Sequence, residues 1–166
     1  ATIDKMLKEF EWDTIGTTKD VPIPPGFEPD NETVPLDPSF PQHKFLGFIS
    51  YLASTTRVDL KAPLNRLARY INKWNIACTK ACKHLARYIK KTRDLGLKYH
   101  ADDGLINKAI GFSDYGSHSV DRSIGGYTII LNGAAVRSST WSIKRTKTST
   151  GWGEAEALKE GVRALI

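Results

Sequence analysis

Ile110-Gly111-Phe112-Ser113-Asp114 closes an apolar run over residues 105–114, and the reading of this stretch decides the fold. Alternation predicts a strand with Ile106, Ile110 and Phe112 on one face. Two more strands are predicted at 123–131 and 134–141. Asn132-Gly133 joins them, and both residues tolerate the positive φ of a type I′ hairpin turn. Residues 144–153 read as a polar loop. A helix is then expected to open at Glu154, its early carboxylates complementing the helix N-terminus. Before the first strand, Asp102-Asp103-Gly104 reads as a turn and 95–99 as a short strand.

An acid that ends a central strand, followed by another on the next helix, is an arrangement that holds divalent metal against a phosphodiester. Asp114 and Glu154 are therefore the candidate catalytic and metal-ligating residues. Such chemistry usually needs three or four ligands. His118, close to Asp114, reads as a surface loop histidine, and Trp74 and Trp141 read as packing residues.

Further upstream the period changes to that of helices. Residues 2–10 place Ile3, Met6, Leu7 and Phe10 on one side. Residues 13–41 hold seven of the eight prolines and read as an extended tether crossing between lobes. Three helices are predicted next. One spans 43–55, one begins near Asp59 with Pro63 in its first turn, and one covers about 75–91. Cys78 and Cys82 fall on the apolar stripe of the last and read as small core residues.

Charge is concentrated on these helices. Residues 57–98 carry twelve Lys/Arg against two Asp/Glu, a local +10 within a chain whose net charge is +6. Arg66, Arg69 and Lys73 share one side of the second helix. Lys80, Lys83, Arg87 and Lys90 step along the third over about 15 Å at the helical rise. This excess favours a polyanionic partner. No run reaches the ~18 apolar residues of a membrane span.

The order of these segments resembles the pol polyprotein of copia-type LTR retrotransposons. The resemblance is carried by Phe45-Leu46-Gly47-Phe48-Ile49-Ser50-Tyr51-Leu52-Ala53, Thr56-Arg57-Val58-Asp59 and Asn65-Arg66-Leu67-Ala68-Arg69-Tyr70. Arg87-Tyr88-Ile89-Lys90, Gly111-Phe112-Ser113-Asp114, Asp121-Arg122-Ser123-Ile124-Gly125-Gly126-Tyr127 and Trp141-Ser142 continue it in order. It implies an α+β chain, a helical thumb or connection followed by a partial ribonuclease H-like fold of three antiparallel strands and one helix. The implied divisions are the end of a reverse transcriptase palm (1–12), a proline-rich linker (13–42), the basic thumb or connection (43–100) and the first half of ribonuclease H (101–166).

The same resemblance assigns the metal-bridging carboxylate to Asp114 and the second to Glu154, with Glu156 as the alternative. It implies Mg²⁺ or Mn²⁺ as cofactor if the chain is catalytic. Gly116 stands where the family commonly has another acid, and the later carboxylates would follow Ile166. The strand edge at 105–114 would lack its usual neighbours, so another chain or a homodimer is expected to cover it. Three functions compete: a nucleic-acid-binding remnant recognising RNA/DNA hybrid or RNA, a ribonuclease H completed by a partner chain, and a structural subunit of a nucleoprotein assembly. The expected location is intracellular, in cytoplasm or nucleus.

Overall fold

In a computed structural model the described residues are 2–16, 19–27, 29, 34–100, 108–116, 123–143 and 149–166. The expected turn at 102–104, the first residues of the strand from 105, His118, and the loop over 144–148 lie outside them. The architecture is α+β, divided into two compact units, Ala1–Gly96 and Leu97–Ile166.

The first unit is helical: α1 Thr2–Glu9, α2 Gln42–Thr55, α3 Lys61–Ala68 and α4 Ile76–Lys91, with single 3₁₀ turns at Val58–Leu60 and Ile71–Lys73. Its core is the set of stripes anticipated from the sequence. Met6, Phe45, Ile49, Leu60, Leu67, Cys78, Cys82, Leu85 and Ile89 are all fully buried. Helix α4 begins where the Asn75 side chain accepts the Cys78 N–H at 3.0 Å, satisfying one of the orphan donors of a helix start. Burial pushes both cysteine thiols up from their ordinary pKa.

The proline-rich segment is not the free tether that its composition suggested. Phe27 and Phe40 are buried in the helical core, and Phe40 stacks on Trp74 with rings 1° from parallel and centroids 5.7 Å apart. Leu36 bridges to Asn75, and the Asp37 N–H donates to the Trp74 carbonyl at 2.9 Å. The Trp74 indole donates to Thr79, whose hydroxyl donates to Asp37 at 2.7 Å. Proline denies this stretch a regular ladder, but it also fixes extended backbone, so interspersed aromatics dock at low entropic cost.

The second unit is an antiparallel sheet in the order β1-β2-β3, with β1 Ala109–Gly116, β2 Ile124–Leu131 and β3 Ala134–Ser142, followed by α5 Thr150–Leu165. Asn132 and Gly133 take φ of 51° and 82°, as the hairpin turn requires. Residues 95–100 form no strand; 98–100 run beside the hairpin, with the His100 N–H donating to the Asn132 carbonyl at 2.9 Å.

Helix α5 starts a full turn earlier than expected. Ser149 caps it, accepting the Trp152 N–H at 3.4 Å, so Glu154 lies in the second turn, beyond the orphan N–H groups it was expected to complement. Gly153 brings the helix onto the sheet, because a Cβ there would lie 2.4 Å from the Tyr115 ring. A Cβ at Gly161 would be 3.5–3.6 Å from the Cβ atoms of Tyr127 and Ser113, and one at Gly111 would be 3.3 Å from Leu165. Thus α5 covers the face that bears Gly111, Ser113, Tyr115 and Tyr127.

Candidate nucleic-acid interface and carboxylate pair

Strand alternation sends Ile110, Phe112 and Asp114 to the face away from α5, and Lys108, one residue before the strand, has the same parity. Asp114 is exposed, and one of its oxygens accepts the Tyr115 N–H at 2.9 Å. Glu154 is exposed on α5. Glu156 and Glu160 line a cleft of 420 Å³ with Tyr127, Ser139 and Trp141, so that flank of α5 faces β2 and β3. Two residues turn a helix by about 200°, which puts Glu154 on the other flank, toward β1.

Asp114 and Glu154 therefore lie on opposite sides of the β1 backbone. Among the described residues no three His, Cys, Asp or Glu come together as a metal cluster. By itself this pair does not fit a two-ion site, which needs carboxylates bridging both metals. Glu156 is ion-paired with Lys159 at 3.1 Å, and Glu160 with Arg163 at 2.9 Å. Both acids lining the cleft thus have a cation beside them on the same helix.

The basic residues divide into two groups. On α4 the buried stripe of Cys78, Cys82, Leu85 and Ile89 turns Lys80 and Lys83 outward, where both are exposed, with Arg87 half-buried beside them. Lys73 is exposed in the turn before α4. Helix α3 ends at Ala68, so Arg66, Arg69 and Lys73 do not share one helix side as expected. Arg66, on α3, is half-buried and stands 5.7 Å over the Phe27 ring, and Arg69, just past the helix end, is also half-buried.

Four of the remaining cations serve the fold. Lys90 donates to the carbonyls of Asp13 and Ile15 at 2.6 and 2.9 Å. Lys91 pairs with Asp20, and Arg93 with Asp4 at 2.8 Å. Arg57 is only 1% exposed. Its guanidinium donates to both Asp59 oxygens at 3.0 and 2.8 Å, and to the Thr92 carbonyl and hydroxyl at 3.0 and 2.8 Å. The Tyr88 hydroxyl donates to Asp59 at 2.9 Å, closing a network that clamps residues 57–59 onto the end of α4. The raw charge count over 57–98 therefore overstates the positive surface. The Arg57-Val58-Asp59 spacing was the available signal for this pair, but nothing in it announced Thr92, thirty-five residues away.

No family model and no solved structure matches the chain. It is 30% identical over 127 residues to secreted RxLR effector protein 161 of Plasmopara viticola, a match covering 73% of this chain and 86% of that protein. The chain belongs to the family of that protein. A second member of the comparison, the putative transposon Ty5-1 protein YCL074W of Saccharomyces cerevisiae, is 30% identical over 108 residues. That match takes in 64% of this chain but 34% of the yeast protein, so the chain spans about a third of that relative's length. The similarity relates this chain to a retrotransposon protein. No helix among the described residues is long and apolar enough to cross a membrane.

Proposed function

We propose that the chain is a copia-type reverse transcriptase–ribonuclease H remnant that binds RNA/DNA hybrid or RNA through α4 and is not catalytically competent alone. The observation that supports this most is the row of exposed Lys80 and Lys83 with half-buried Arg87, set on the side of α4 opposite its buried stripe, with Lys73 exposed in the turn before it. Phosphates are met by such cations without base readout, so recognition rests on backbone shape and charge. Arg66 and Arg69 are half-buried, and Lys90 acts as a tie to residues 13–15. A nucleic-acid partner would place the chain in cytoplasm or nucleus.

A second reading is a ribonuclease H completed by a partner chain, in which Asp114 near the end of β1 supplies one carboxylate. Mg²⁺ or Mn²⁺ would then need further ligands from that partner. The two readings separate in one assay: a labelled RNA/DNA hybrid incubated with wild type and Asp114→Asn in each ion. Binding without cleavage supports the remnant. Cleavage abolished by Asp114→Asn overturns it in favour of the enzyme, and absence of binding overturns both.

A further inference from the structure

Strand β1 lies at the edge of the sheet, paired on one side with β2 and, among the described residues, with no strand on the other. Unpaired edges of this length are normally blunted by inward charges, proline or a covering element. From Ala109 to Ser113 the strand carries no charge and no proline, and Phe112 and Ile110 are 58% and 37% exposed. Its charges stand at the two ends, Lys108 just before β1 and Asp114 near its finish, Asp114 on the face of Ile110 and Phe112 and Lys108 at the same parity of the chain.

We propose that this edge binds the same edge of a second copy, antiparallel, about a twofold axis at Gly111. The register follows from the side chains. With Gly111 opposite Gly111, Lys108 faces the second copy's Asp114 and Ile110 faces its Phe112, and symmetry repeats both pairs. Hydrogen bonding permits only shifts that keep like parity opposed. The next register one way sets Lys108 against Phe112, and the next the other way sets Asp114 against Ile110. Only the Gly111 register matches charge with charge and apolar with apolar, and a twofold makes the contact self-limiting.

The opposite face agrees. Helix α5 packs on both β1 and β2, and adjacent strands are about 4.8 Å apart, so the two helices would stand about 10 Å apart, an ordinary packing distance. Leu165 lies over Gly111, and it and Val162 are 46% and 47% exposed. The C-terminal turns of the two helices therefore meet at the axis through exposed aliphatic side chains. The small Ala109, Gly111 and Ser113 beneath leave them room.

The test is the mass of the whole chain by analytical ultracentrifugation over a concentration series. Wild type should be dimeric, and Lys108→Glu or Asp114→Lys, each creating two like-charge pairs, should weaken the dimer about tenfold or more. The double variant Lys108→Glu/Asp114→Lys restores complementarity and should restore the dimer. A monomeric wild type, single variants that associate as before, or a double variant that stays dissociated would each overturn the proposal. It rests on β1 and α5, so its failure leaves hybrid binding by α4 untouched.

Discussion

Replacing Lys80, Lys83 and Arg87 together by alanine should remove most of the salt dependence of nucleic-acid binding. Setting aside Lys90, which is tied to backbone carbonyls, and the two half-buried arginines Arg66 and Arg69, four basic side chains of the predicted set remain: Lys73, Lys80, Lys83 and Arg87. Each phosphate neutralised on a duplex contributes about −0.9 to the slope of log K against log salt, so four give about −3.6. Between about 50 and 200 mM salt that slope is about a 150-fold loss of affinity, against about 1,800-fold if Arg66 and Arg69 also engaged phosphate. The triple variant retains Lys73, so its slope should fall to about −1. Fluorescence anisotropy of a labelled RNA/DNA hybrid, titrated at several salt concentrations, measures both. A triple variant with the wild-type slope would show that the phosphates lie elsewhere and refute the α4 row. Lys90→Ala is the control: it should keep the slope, since its amine is bonded to backbone carbonyls.

Gly153→Ala should destabilise the second unit by about 1–3 kcal/mol in urea unfolding, because the added carbon meets the Tyr115 ring; an unchanged midpoint would contradict the close approach. Arg57→Ala should cost about 3 kcal/mol by removing a buried partner of Asp59 and Thr92, whereas Lys83→Ala should be nearly neutral in the same denaturation experiment. Hydrogen bonds from Ser39 and then Thr79 hold the Asp37 carboxyl below its ordinary 3.8. A folded pKa lowered in this way contributes stability above the unfolded pKa that is lost as pH falls through the folded value. Asp37→Asn should therefore lower stability at neutral pH and flatten its decline below about pH 4, read from thermal melts across the acid range.

Local chemistry determined much of this protein before any tertiary contact. The 3.6-residue spacing of Cys78, Cys82, Leu85 and Ile89 settled both the existence of α4 and the direction in which Lys80 and Lys83 point, because a helix has one apolar face to bury. Asn132-Gly133 settled the β2–β3 hairpin, since few residues adopt paired positive φ. The α+β class followed from the change of period between the two units. Tertiary structure alone decided the remainder. Burial of Phe27 and Phe40 turned a proline-rich stretch into packed structure, a long-range event that composition does not encode. Contacts distant in sequence took Arg57, Lys90, Lys91 and Arg93 from a seemingly uniform basic surface. The start of α5 lay with Ser149 and with the fit of Gly153 to Tyr115, so glycines that read as loop became helix. Residue types and their periods can be read along a chain. Which charge meets which, and which side of a strand a helix covers, depends on elements that come together only when the chain folds.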